Sequence, residues 1–115
     1  MESILTSIKK MLGIAEEYEY FDEDLIMHIN SVFMILNQLG VGPTECFLIE
    51  DEDTSWSEFT SDVTNLELVK SYVYLKVKLL FDPPLSSSVM ESMKQMINEF
   101  EFRLNVMAET PLDNS

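Results

Sequence analysis

The stretch that most limits what this chain can become is residues 66–82, LELVKSYVYLKVKLLFD. At about 100° per residue, Leu66, Leu68, Val69, Tyr72, Val73, Leu75, Val77, Leu79 and Leu80 cover roughly 200° of a helix circumference. Only Glu67, Lys70, Ser71, Tyr74 and Lys78 make up the polar stripe. A helix that apolar needs neighbours on several sides, which predicts a central helix over 65–82. Its start carries the spacing of a capping box, Thr64-Asn65-Leu66-Glu67, with Val63 and Leu68 placed as a hydrophobic staple. Its end is set by Asp82-Pro83-Pro84, because proline lacks the N–H and disfavours a helical residue before it.

The neighbours can be read on either side. Residues 3–12 predict a short helix with Ile4, Leu5, Ile8, Met11 and Leu12 on one face and Gly13 behind it as terminator. A second helix is predicted over 23–39, with Asp22 as N-cap, Phe21 and Ile26 as staple, and Gly40 at its end. Leu25, Ile26, Ile29, Val32, Phe33, Leu36 and Leu39 form its main stripe, and His28 borders it as a packed or surface residue. The long loop that follows contains Phe47-Leu48-Ile49, which reads equally as a short strand or a buried loop segment. Ser55-Trp56-Ser57-Glu58 is another capping-box spacing, predicting a turn or two of helix that lays Trp56 and Phe59 over one end of the core. A last helix is predicted over 88–107, with Val89, Met90, Met93, Met96, Ile97, Phe100, Leu104 and Met107 as a core-facing stripe roughly 120° wide. The expected fold is all-α: a small bundle around one long helix, in a single domain over 1–108, with a flexible tail over 109–115.

Charge narrows function. There are 21 acids against 7 bases, a formal net charge of −14. Such a surface repels phosphate, so nucleic-acid binding in the usual sense is disfavoured. The acids Glu16, Glu17, Glu19, Asp22, Glu23 and Asp24 crowd one short segment, which reads as a solvated loop or as a docking strip for a basic partner. Their spacing matches no calcium loop and lacks its glycine. Cys46 is alone, which excludes an internal disulfide and a cysteine metal cluster. No apolar run reaches the length of a membrane span. No glycine-rich phosphate loop, nucleophile motif or apolar setting for a paired carboxylate is present, so no catalytic residue, cofactor or metal ligand is assigned.

Several apolar residues sit off the main stripes: Met27 and Met34 seven apart on the second helix, and Phe102 and Val106 four apart on the polar face of the last. Lys76 falls inside the apolar arc of the central helix, where its stem snorkels or its ammonium pairs with an acid of the same or a neighbouring chain. Surplus apolar surface at helical spacing predicts self-association. Met27, Met34, Lys76, Phe102 and Val106 are the candidate subunit contacts.

Three segments, DEDLIMHINSVFMILNQLGVGP, VKSYVYLKVKLLFDPP and MKQMINEFEFRLNV, together resemble the head–tail connector (adaptor) proteins of long-tailed bacteriophages and prophages of Gram-positive hosts. The resemblance covers about residues 3–108. It is most specific at Asn37-Gln38-Leu39-Gly40 with Gly42-Pro43, and from Tyr74-Leu75-Lys76 to Asp82-Pro83-Pro84. It implies a helical, non-enzymatic virion protein, made in the host cytoplasm and located at the neck. Its copies would form a ring, typically dodecameric, docked beneath the portal protein and followed by a tail-side connector or stopper. DNA would pass through the ring without specific binding, and no membrane is involved. Glu16, Glu17, Glu19, Pro111 and Leu112 become the candidate contacts with the portal or another partner. The rival expectation is a monomeric acidic binding module, such as a DNA-mimic inhibitor or a small regulatory subunit.

Overall fold

In the computed structural model, which describes residues 2–60 and 62–109, the chain forms five helices and, among those residues, no strand. They are α1 (Ile4–Leu12), α2 (Asp22–Gln38), α3 (Trp56–Phe59), α4 (Val63–Phe81) and α5 (Ser87–Glu109). The expected all-α bundle is borne out. α4 is its axis and packs against α1, α2 and α5. Val69, Tyr72, Val73 and Val77 are fully buried along it, whereas Leu80, counted in the apolar arc, is exposed at the helix end. Burial of each such side chain contributes about 1.5–3 kcal/mol relative to exposure. α4 begins at Val63, so Thr64 lies within its first turn instead of capping it. The side chains of Val63 and Thr64, and with them the expected staple, lie outside the described residues.

α1 starts as its sequence demands. The Ser3 hydroxyl accepts the Thr6 N–H, and Gly13 closes the helix in the left-handed conformation at φ +82°. Ile4, Leu5 and Ile8 are buried. The helix is tied to distant chain by backbone bonds from the Ile4 N–H to the Thr54 carbonyl and from the Trp56 N–H to the Glu2 carbonyl. Trp56 and Phe59 are both buried and belong to the core cluster. The Trp56 indole donates to Ser7 Oγ at 2.7 Å, and Ser7 Oγ donates to the Ile4 carbonyl, so this buried polar pair is satisfied. The Glu58 carboxylate accepts the Ser55 N–H at 3.1 Å, the return half of the capping box expected there.

Two helix boundaries differ from the sequence reading. Phe21, not Asp22, occupies the N-cap position of α2 and offers no side-chain cap. Asp22 is the first helical residue, and its carboxylate is drawn to Lys9 instead. Phe21 packs edge-on against Phe81, with ring centroids 5.1 Å apart. α5 starts at Ser87, where the Ser86 carbonyl accepts the Met90 N–H, and runs to Glu109, two residues past its expected end and into the region read as tail. Residues 110–115 lie outside the described residues.

The 40–54 loop holds no strand. Its apolar run is fixed by side-chain amides of α2. Asn30 donates to the Ile49 carbonyl at 2.9 Å and accepts the Ile49 N–H at 2.8 Å, doing for one residue what a neighbouring strand would do. Asn37, seven residues on along the same face, donates to the carbonyls of Pro43 and Thr44. With its backbone held this way, Ile49 is buried and Phe47 stacks edge-on against Phe33 and Phe59.

α5 departs most from expectation. Of its predicted core stripe, only Ile97 and Leu104 are buried, while Val89 and Met96 are exposed. Leu85, in the turn before it, is fully exposed. The molecule measures 47 × 36 × 20 Å. Its short dimension is about two helix layers, so the first half of α5 has neighbours on too few sides to cover its stripe.

Candidate functional site

The acidic segment before α2 is a built structure. Lys9 projects from α1 and is 2% exposed. Its ammonium donates to the carbonyls of Glu16 at 2.8 Å and Tyr18 at 2.7 Å, and lies 2.8 Å from Asp22 Oδ1. All three N–H donors therefore have partners, the condition under which a buried lysine is tolerated. The rings of Tyr18, Tyr20 and Phe21 pack edge-on or tilted against one another above this knot. Glu16, Glu17 and Glu19 are exposed around it, and so is Tyr20. The sequence reading missed Lys9, although a signal existed: it lies between Leu5 and Leu12 at helical spacing, inside the apolar stripe as Lys76 is. Replacing Lys9 by Met is expected to cost about 2–4 kcal/mol, since Asp22 loses its counter-charge and two loop carbonyls lose their donor. Thermal melting of K9M should fall by about 10 °C or more, with early proteolytic cleavage between residues 14 and 21. The double variant K9M/D22N should recover part of the loss.

Lys76 resolves towards pairing within its own chain. Its ammonium lies 3.9 Å from Glu101 Oε2, across the junction of α4 and α5. The Tyr72 hydroxyl donates to the same oxygen at 2.7 Å. Burial, then the hydrogen bond to Glu101 and the negative charge of that carboxylate, push the Tyr72 phenol far above its ordinary range, so it remains a donor at every working pH.

The remaining bases are mostly used inside the chain too. Lys70 pairs with Glu2 at 2.7 Å and lies 5.9 Å above the Trp56 ring, Lys78 pairs with Asp82, and Arg103 pairs with Glu99. With Lys9 and Lys76, five of the seven bases are engaged, leaving Lys10 and Lys94 without an ion pair among the described residues. Among the described residues, most acids are exposed and make no ion pair.

The candidate contact residues separate into two surfaces. Met27, 60% exposed, and Lys76 come together in a cleft of about 500 Å³ between α2 and α4, whose walls also include His28, Ile35, Leu79 and Leu80. Met34, two turns on from Met27, is exposed and does not line the cleft. Phe102, 69% exposed, and Val106 lie apart from the cleft, one turn from each other on the face of α5 away from Ile97 and Leu104. Pro111 and Leu112 lie outside the described residues. Among the described residues, no helix is long and apolar enough to cross a membrane.

A small all-α scaffold whose notable features are exposed apolar faces and unopposed acids is a protein of contacts, without an assembled reaction centre among the described residues. A family model described as phage connector protein matches residues 4–111, and the chain belongs to that family. Membership makes it a structural connector of phage particles, working in contact with other head and tail proteins. No curated protein and no solved structure matches the chain.

Proposed function

We propose that this chain is a non-enzymatic neck subunit that forms a ring between portal and tail and extends the DNA channel. The observation that carries the reading, beside family membership, is the outer face of α5, where Phe102 and Val106 present apolar surface at one-turn spacing. An exposed pair of this kind on a helix of 23 residues suits burial against the next copy. The surplus of acids suits a conduit, since DNA carries about one negative charge per 1.7 Å of axis and would not adhere. Glu16, Glu17 and Glu19, on the loop that Lys9 holds in shape, supply a preformed contact for a basic surface of the portal, and Pro111 and Leu112 are the other candidate contacts with it. The particle neck is then its place of action.

The test is sedimentation velocity with negative-stain imaging, on the protein alone and mixed with its portal. Rings are expected in at least one condition. Phe102→Ser with Val106→Ser should lower assembly at least about tenfold, as expected when two central apolar contacts are truncated, with melting unchanged. A parent monomeric in both conditions would overturn the ring, and a double variant assembling like the parent would remove this face from the joint.

A further inference from the structure

The cleft between α2 and α4 is a second, separate interaction surface. Its apolar lining comes from Met27, Val32, Ile35, Leu79 and Leu80, and of its α2 wall His28, Val32 and Ile35 lie across the helix from Asn30 and Asn37, which are occupied with the loop. Met27 and Leu80 are both more than half exposed at its mouth. Long unbranched thioethers at such a mouth adapt to differently shaped apolar partners.

Charge decides what fits. Glu23 and Asp24 lie one helical turn before Met27 and His28, both exposed and neither in an ion pair among the described residues. Asp82, which follows α4, is already paired with Lys78, so Glu23 and Asp24 are the unopposed acids here. The basic group in the wall, Lys76, already faces Glu101. A second copy laid here would bring another −14 and, among the described residues, only Lys10 and Lys94 as unengaged bases, so acid would meet acid. A basic partner meets apolar surface flanked by unopposed carboxylates.

We propose that this cleft binds an amphipathic helix of a different protein, its apolar stripe in the cleft and its lysines or arginines against Glu23, Asp24 and the acidic loop beside them. The cleft lies between two helices, lined by residues 27–35 of α2 and 76–80 of α4, and laying an apolar helix face into a groove between helices is an established way to bury such a surface. The inference does not depend on the ring, because the cleft shares no residue with the Phe102 and Val106 face.

Calorimetry separates the possibilities. The probe is a Leu/Lys peptide of about five helical turns with leucines at helical spacing, compared with a peptide of the same composition and scrambled order. Both carry the same charge, so electrostatic attraction alone would bind them equally. The striped peptide is expected to bind the full chain at least about tenfold more tightly. Met27→Ser with Leu80→Ser should abolish that preference and leave the melting temperature in place, while Leu85→Ser, at the exposed turn before α5, should keep it. Equal binding of the two peptides, or a preference that survives in the Met27 and Leu80 variant, would overturn the proposal. So would a parent oligomer that the same variant converts to monomers, which would give the cleft to a second copy.

Discussion

Replacing Val73 by Asp is expected to remove the cooperative thermal transition or to lower it by more than about 20 °C. Val73 is fully buried in α4, the helix that contacts α1, α2 and α5. The substitution forfeits about 1.5–3 kcal/mol of apolar burial and places a carboxylate in the apolar core, at a further cost of several kcal/mol. Native stability of about 5–15 kcal/mol for a domain leaves little after that. The matched control is Leu80→Asp, the same chemistry seven residues on, at a half-exposed position. It should shift melting by only a few degrees. Circular dichroism of the two variants decides the matter: if V73D melts close to the parent, α4 is not the axis of the fold.

That contrast also shows what could be read in the chain before its structure. The axis was legible because a helix apolar over roughly 200° has few places to go, and the capping and terminating signals placed the helices to within a few residues. What periodicity could not convey was supply. It marked the stripe of α5 from Val89 to Met107 as core-facing, but a stripe is buried only where another element lies against it, and the covering elements end near Ile97. Val89 and Met96 are apolar for their own helix and exposed for want of a neighbour. Nor could periodicity distinguish polar residues that meet water from those with appointed partners. Asn30 and Asn37 hold the 40–54 loop, which no spacing announces, and Asp22 looked like a cap and neutralises Lys9. The candidate contacts were legible as leftovers, yet their division into an α5 face and an α2–α4 cleft required the packing.

The second large effect is expected at Gly42. Gly42 sits at φ +91° before Pro43, and a Cβ there would collide with Cε1 and Cζ of Phe59. Phe59 is itself 4% exposed, with ring centroids 5.0 Å from Phe33 and 5.3 Å from Phe47, so its ring is held between two aromatic neighbours. Gly42→Ala should cost roughly 1–2 kcal/mol for the left-handed backbone and about 1–3 kcal/mol for overpacking. Gly13 separates the two contributions. It has nearly the same backbone, φ +82°, but nothing lies within 4 Å of its Cβ position, so Gly13→Ala should show the backbone cost alone. At about 4–8 °C per kcal/mol for a domain near this size, the difference between the two melting temperatures reports the contact with Phe59. Phe59→Leu combined with Gly42→Ala should then be less destabilising than the sum of the single changes, because the truncated side chain makes room. Equal losses for G13A and G42A, or strict additivity of the pair, would mean that the Gly42-Pro43 corner does not need the close approach of backbone to ring that joins the loop to the core.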